Sequence, residues 1–443
     1  MSDMLSIAAS GLRAYQTALT TTSENIANAG TAGYVRRTSN VREVNSTGAT
    51  NVNGLGVVVT GISRQTDVYR AGEVRLASTD LARSETAATW LDRIQNSLTG
   101  NQLNSQITAF FTSARTAAAD PSNLGPRQAM LEAASSVSAG FTATGNSLDA
   151  AMADLDATTD AAVGQLNALS STLARVNFAL GNVSANTSNA ASLLDQRDQL
   201  LEQMSAITDI NVSLDPAGRA VVRQGGQNGP VLVQGINSAT VTAVRNDEGS
   251  VSFASFLDGS VKALSPTGGV FAGIVEGATA IAGARSQLNN LAQSFAQGVN
   301  AAQAAGEDLS GTPGAAMFTI GDPASHLTLA LNDPRSIAAA APGKGARDNS
   351  NLIALDAIRG TTGVEQGLTN LITANGGALN ARKAVVNAQA AIHGNAVQAR
   401  DSVTGVNVDE EAVDLIRFQQ AYQASGRVIQ VAREVLQSIF DIR

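Results

Sequence analysis

Apolar residues repeat every seven positions near the start of the chain, a period typical of helices that form a coiled coil. The repeating positions are Leu5, Leu12, Leu19 and Ile26. Asn28 and Gly30 follow them and are residues that commonly end a helix. We therefore predict a helix over residues 3–28. It carries few charged residues, which indicates that several of its faces become covered; an ordinary amphipathic helix docked on its own domain is the alternative.

The last segment of the chain shows the same period. Asn407 is suited to cap a helix, and Glu410 stands three residues later, as in a capping box. Two interleaved series of positions follow: Leu415, Tyr422, Ile429 and Leu436, and then Phe418, Ala432 and Ile439. We predict that this helix pairs with the N-terminal one, so that the rest of the chain is an insertion between them.

The middle of the chain alternates between two patterns. Helical periodicity covers residues 70–207, with a break at 120–126, and returns over 271–305 and most of 350–400. Residues 209–265 instead contain short β-branched runs separated by turn sequences. The predicted fold is mainly α with a β insertion: long terminal helices forming a coiled coil, a helical-bundle domain and a small antiparallel β domain.

These patterns divide the chain into three predicted units. Residues 1–50 with 401–443 form the terminal coiled coil. Residues 51–208 with 266–400 form the mainly helical domain, and residues 209–265 form the inserted β domain. Only 4% of the 443 residues are aromatic, so the composition favours close helix packing over a deep ligand pocket.

Composition excludes several classes of function. The chain has no cysteine and two histidines, which excludes thiolate chemistry and makes a histidine metal site improbable. A net charge of −8 without a basic cluster argues against nucleic acid as a partner. No apolar run is long enough to span a membrane, and Asp3 and Arg13 do not fit a cleaved export signal.

No catalytic or cofactor-binding pattern stands out. The acidic residues 409–411 could be taken for a metal cluster, but their place in a first helical turn favours capping. Residues 193–204, LLDQRDQLLEQM, read as a helix with leucines inside and Asp and Arg on a solvated face. We therefore expect no catalytic residue, no cofactor and no metal. An exported enzyme acting on cell-wall glycan remains a different-class alternative.

The two ends of the chain resemble those of bacterial flagellar axial proteins. The stretch SGLRAYQTALTTTSENIANAGTAGYVRR contains the Asn-Ile-Ala-Asn and Gly-Tyr elements typical of rod, hook and hook-associated proteins. The family elements occur here as Asn25, Asn28, Gly33 and Tyr34. The segment FFTSARTAAADPSNLGPRQAMLEAA, the segment LLDQRDQLL and the C-terminal helix are similar to those of the hook-associated protein 1 family, which joins hook to filament.

The resemblance implies a structural role in an extracellular tube, reached by type III export without a cleaved signal. The terminal helices would line its inner wall, with the seam residues and the four motif residues above at the assembly interface. Implied partners are hook protein, hook-associated protein 3, further copies in a junction ring and a cytoplasmic chaperone on the C-terminal region. Another axial protein, such as hook-associated protein 3 or a flagellin, is the near alternative.

The narrow apolar seams of the two terminal helices lead to an expectation about their order in the free subunit. An isolated pair of such helices buries little apolar surface, while ordering costs about 1–2 kcal/mol per residue. We therefore predict that both chain ends are mobile in the free subunit and become ordered against neighbouring subunits.

Overall fold

A computed structural model describes residues 2–44 and 56–441. The first helix, α1, spans Ser2–Ala27. An antiparallel hairpin follows, formed by β1 (Arg37–Glu43) and β2 (Val57–Arg64), with Arg37 paired to Arg64 at its open end. The hairpin lies against α1, where the Ser10 hydroxyl accepts a hydrogen bond from the Val57 amide at 3.1 Å.

Four helices come next and begin the body of the molecule. They are α2 (Val68–Gly100), α3 (Leu103–Ala119), α4 (Leu124–Asn182) and α5 (Ser188–Ile207). Each of α2, α4 and α5 starts at a polar side chain, Asp67, Asn123 or Thr187, that accepts a backbone N–H of the first turn. The predicted break at residues 120–126 falls between α3 and α4.

Seven short strands fill residues 210–264 and form two antiparallel sheets. The first sheet has the order β3 (Ile210–Leu214), β4 (Ala220–Gln224), β5 (Val231–Gln234) and β6 (Asn237–Ser238). The second contains β7 (Thr240–Arg245), β8 (Val251–Leu257) and β9 (Ser260–Leu264). Asn167 and Asn177 of α4 join the sheets to that helix, because their amides exchange hydrogen bonds with the backbone at Val241 and Ala220.

The remaining elements complete the body and return to the chain end. They are α6 (Gly269–Ala305), the antiparallel strands β10 (Phe318–Ile320) and β11 (Leu327–Leu329), α7 (Ser350–Thr362), α8 (Val364–Thr404) and α9 (Val408–Asp441). Two further names are used below. The body is α2–α8 with strands β3–β11, and the terminal pair is α1 with α9.

The core of the body is centred on phenylalanines from three helices and a strand. Phe295 of α6 lies 5.3–6.2 Å from the rings of Phe110, Phe111, Phe141 and Phe318, measured between centroids. All five side chains are buried. The prediction of a mainly α protein with terminal helices and a small antiparallel β insertion is confirmed. No helix in residues 2–44 and 56–441 is apolar over a length that would cross a membrane.

Candidate assembly site at the base of the terminal helices

The two ends of the chain pack against each other as an antiparallel helix pair. Asn25 of α1 contacts Glu411 of α9. Gly11, fourteen residues earlier on α1, lies opposite Ser425, fourteen residues later on α9. A Cβ atom at Gly11 would lie 3.2 Å from the Ser425 hydroxyl, so the helices approach closely there. In the first two-thirds of α1 the buried residues are small, and they are Ala8, Gly11, Ala14 and Ala18.

The leucine series predicted as the seam of α1 flanks these small residues. Leu5, Leu12, Leu19 and Ile26 are half-buried. On α9, the half-buried residues of the predicted series are Leu415, Phe418, Ile429 and Leu436, whereas Tyr422 is exposed. The side chain of Ile439 lies outside the described residues.

The outward face of α9 is apolar and uncovered. Val413 is 66% exposed, Ile416 55% and Val431 53%, and Val428 and Val435 are also exposed. A helix that is apolar on more than one side is normally covered on more than one side. Contacts with α1 therefore cover only part of the apolar surface of α9.

Asn25 is the hub at the base of the terminal pair. Its buried amide nitrogen donates to the Arg37 carbonyl at 2.8 Å and to the Glu411 carboxylate at 3.0 Å. Its amide oxygen accepts the Tyr34 hydroxyl at 2.9 Å and the Arg37 amide at 3.0 Å. These contacts use both N–H groups and both lone pairs of the amide, so the asparagine joins the end of α1, the following loop and α9.

Glu411 is a buried carboxylate in the first turn of α9. Besides Asn25, it contacts Arg36, whose Nε donates to the carboxylate at 2.6 Å. Arg36 also lies 3.5 Å from Glu410 and 3.6 Å from Asp414. Because a buried charge needs a hydrogen-bonded counterion, Glu411 and Arg36 depend on each other.

A second ionic group connects the hairpin to α5. Asp195 is buried and lies 2.9 Å from Arg37 and 2.7 Å from Arg64, both of which are also buried. Arg64 further pairs with Asp198 at 2.8 Å. The prediction that Asp and Arg of this segment lie on a solvated helix face is wrong for Asp195 and Arg197. Both are buried, because the hairpin and the loop at Gly218 cover that side of α5.

Tyr34 is held in the same cluster in its neutral form. Burial raises the pKa of Tyr34 to about 12, and the charge of Arg37 opposes this rise. The Arg37 guanidinium lies 4.7 Å from the centre of the Tyr34 ring, a cation–π distance. The tyrosine therefore packs against the arginine, and its neutral hydroxyl donates a hydrogen bond to the Asn25 amide oxygen.

Asn28 and Gly33 shape the loop between α1 and Tyr34. The Asn28 amide donates to the Glu24 carbonyl at 2.9 Å and closes the last turn of α1. Gly33 has a φ of +75°, and a Cβ atom there would overlap the Gln199 side chain, which donates to the Ala32 carbonyl at 2.7 Å. Glycine is thus required both by the backbone and by the approach of α5.

A cavity of about 980 Å³, lined by apolar and charged residues, lies beside this cluster. Residues 29–35 and 400–407, two of the connections between the terminal pair and the body, line it together with α2 and α5. Its charged residues are of both signs and include Arg75, Arg197, Arg400, Asp198 and Glu202. Within residues 2–44 and 56–441, no group of three or more His, Asp or Glu residues could hold a metal ion.

Sequence reasoning identified Asn25 and Tyr34 but missed most of the residues that they join. Arg36, Arg37, Arg64, Asp195 and Glu411 are separated by up to 375 positions, and periodicity does not connect distant charges. One signal was available. Two adjacent arginines directly after the Gly-Tyr element stand in an otherwise sparsely charged region, and acidic residues open the last helix.

Three family models match the chain. The model described as "Flagellar hook-associated protein FlgK helical domain" matches residues 88–318, more than half of the chain. "Flagella basal body rod protein" matches residues 5–34, and "Flagellar basal body rod FlgEFG protein C-terminal" matches residues 397–442. The two terminal matches cover the cluster residues Asn25, Tyr34 and Glu411.

Two relatives and one solved structure agree with these family models. The chain is 25% identical to flagellar hook-associated protein 1 of Escherichia coli, over all of both chains. It is 30% identical to flagellar hook-associated protein 1 of Salmonella typhimurium, over 73% of this chain and 60% of that protein. The solved structure of the flagellar hook junction protein FlgK from Burkholderia pseudomallei shares the fold, with a TM-score of 0.67, 17% identity and coverage of 74% of this chain and 99% of that one.

Proposed function

Because the chain belongs to the family of the flagellar hook-associated protein FlgK, we propose that it is a structural subunit that joins hook to filament. The role is one of assembly, without catalysis. The subunit polymerises through its terminal pair, and the leucine and aromatic series of α1 and α9 form part of the interface between subunits.

The uncovered apolar face of α9 is the observation that carries this proposal. Burying one aliphatic side chain of this size stabilises a protein by about 1.5–3 kcal/mol. The five aliphatic side chains named above on the outward face of α9 are each more than 40% exposed. In a tubular assembly each subunit has neighbours on several sides. Those neighbours can cover the outer face of α9 together with the half-buried leucines of α1.

The partners are part of the same proposal and rest on membership of the family. Hook protein lies on one side of the junction and hook-associated protein 3 on the other, with further copies of this chain in the ring. The subunit reaches that place through the type III export channel, and a cytoplasmic chaperone holds its C-terminal region beforehand. The three predicted units supply a terminal wall, a helical layer and an outward β domain formed by residues 209–265.

Immunogold labelling of isolated hook–filament structures tests the proposal. The antibody is raised against residues 209–265, and its access to the epitope is verified on the purified protein. A strain that lacks this chain is the control for specificity. We expect a single band of gold at the boundary between hook and filament.

Two results would contradict the junction role. Label along the whole filament would mean a flagellin-like subunit, and absence of label would mean that the chain is not part of the structure. A glycan-hydrolysis assay on the purified protein distinguishes the enzymatic alternative, and we expect no release of sugar above that of a heat-denatured sample.

A further inference from the structure

Arg36 is the point at which three connections between the terminal pair and the body meet. Its own segment leads from α1 into β1. Its amide donates to the carbonyl of Thr404, the last residue of α8 before the connection to α9, at 2.9 Å. Its carbonyl accepts the amide of Gln65, which lies between β2 and α2, at 2.9 Å. The backbone at this residue therefore ties all three segments together.

The next residue contacts a different helix. Successive side chains of an extended segment point to opposite sides, so neighbouring residues can reach different partners. Arg36 reaches the first turns of α9, where Glu411 lies 2.6 Å from its Nε. Arg37 reaches α5, where its Nη2 lies 2.9 Å from Asp195, and it also lies 3.5 Å from Glu24 of α1.

Each contact is made where an unpaired charge would be costly. Glu411 and Asp195 are both buried, so a tilt of the terminal pair away from α5 would separate buried carboxylates from their arginines. The cavity of about 980 Å³ borders the same connections and leaves space for such a tilt. The ion pairs of Arg36 and Arg37 oppose this motion.

We propose that Arg36 and Arg37 are positioning residues that fix the angle between the terminal pair and the body. Arg36 holds α9, Arg37 holds α5, and the single peptide bond between them transmits the orientation of one to the other. The biological purpose of this fixed angle rests on the proposed function, because a subunit in a tube needs its wall helices and its outer layer at one angle. The angle itself is a property of the free chain.

Distances between paired spin labels on the full chain test the inference. The chain has no native cysteine, so labels attach only at introduced ones. Gln423→Cys on α9 with Ala168→Cys on α4 reports the angle, and all label positions are exposed. Gln16→Cys with Gln423→Cys reports the terminal pair alone, and Ala109→Cys with Ala168→Cys reports the body alone.

In the parent chain we expect a narrow distance distribution within the body. Each pair that includes Gln423 should give a single but wider distribution, because the far ends of the terminal pair are mobile in the free chain. Arg36→Gln and Arg37→Gln should each broaden the distribution between α9 and α4 and shift its mean, while the distribution within the body is unchanged. Arg36→Lys keeps the charge but lacks the planar fork of the guanidinium, and should give an intermediate width. Arg70→Gln, which removes an exposed arginine paired with Glu73, is the matched control and should change nothing.

A compensated variant guards against simple unfolding of α9. Arg36→Gln combined with Glu411→Gln removes both charges and leaves no buried carboxylate without a counterion. With this variant, we expect the distance within the terminal pair to stay normal while the distance between α9 and α4 broadens. If Arg37→Gln and the compensated variant both keep the mean and the width of the parent distribution between α9 and α4, the inference is wrong.

The spin-label experiment is independent of where the protein resides. It uses the free chain in solution, so a failure to find the protein at the junction would leave its result intact. Conversely, gold label at the junction together with unchanged distances would support the proposed function and overturn the positioning role.

Discussion

The body and the terminal pair are built from similar long helices, but different residues lie at their contacts. In the body, the deepest side chains are large, and Phe110, Phe141 and Phe295 are at most 1% exposed. In the terminal pair, the buried residues of α1 are alanines, a glycine, two threonines and Asn25, while valines and an isoleucine on the outside of α9 face water. The body thus has a core of large rings that its own helices bury, whereas the contact within the terminal pair is made by small side chains and leaves a row of aliphatic side chains of α9 exposed.

The strongest test of this difference replaces a half-buried seam residue by a charge. Leu12→Asp or Ile429→Asp should abolish incorporation into the junction while the body stays folded. Each change removes about 1.5–3 kcal/mol of apolar burial and adds a charge that must be desolvated. Incorporation is measured by complementation of a strain that lacks the chain, and folding of the body by thermal unfolding.

The control places the same charge on an exposed apolar residue elsewhere. Val244→Asp, on the outward side of the second β sheet, should incorporate normally. An intact junction built from Leu12→Asp or Ile429→Asp would show that the terminal pair is not the polymerising element.

Truncation of a core phenylalanine should show the opposite behaviour. Phe295→Ala removes a ring that packs against four others and should lower the free energy of unfolding by about 3–5 kcal/mol. Phe178→Ala removes a ring that is 61% exposed on α4 and should change the free energy of unfolding by less than about 0.5 kcal/mol. Denaturant titration of the free chain measures both, and similar losses for the two variants would contradict the described core.

The smallest effect concerns pH at the base of the terminal pair. The folded chain keeps the proton of Tyr34 up to a pKa of about 12, whereas an unfolded tyrosine loses it near pH 10. The contribution of neutral Tyr34 to the free energy of unfolding is therefore complete below pH 10 and is lost as pH rises towards 12. Because Tyr34 is only partly buried and solvent screens its charge, we expect this pH-dependent contribution to the free energy of unfolding to be at most about 1 kcal/mol.

Tyr34→Phe isolates this contribution. The variant should lose about 0.5–1.5 kcal/mol near neutral pH, since the hydrogen bond to Asn25 is absent. Its stability should also fall less steeply than that of the parent between pH 10 and 12. Parallel pH profiles of the two proteins, measured by urea unfolding, would show that Tyr34 does not titrate in this way.

Much of the fold was predictable because it depends on local patterns. Seven-residue periods gave the terminal helices, and β-branched runs between turns gave the strands of residues 210–264. The depth of burial along α1 was not predictable in the same way. Hydrophobicity ranks Leu12 above Ala18, yet the close approach of α9 requires small residues at the contact and leaves the leucines beside it.

The candidate site was predictable only at its local elements. Asn25, Tyr34 and Arg37 stand in one recognisable stretch, but Glu411, which contacts Asn25, and Asp195, which contacts Arg37, come from two distant parts of the chain. Asp195 and Arg197 looked solvated because their helix alone exposes them. Their burial depends on the hairpin and on a β-sheet loop, and such tertiary contacts have no local signature.

Hydrogen exchange of the full chain, before and after it binds isolated hooks, tests the central claim most directly. In the free chain, we predict slow exchange in the body and fast exchange in residues 4–11 and 425–438, far from the Asn25 cluster. Residues 21–25 and 408–415, next to that cluster, should be intermediate. Binding to hooks should protect the distant segments. If those segments are already as protected as the body in the free chain, the terminal pair does not depend on neighbours for its order, and the account is wrong.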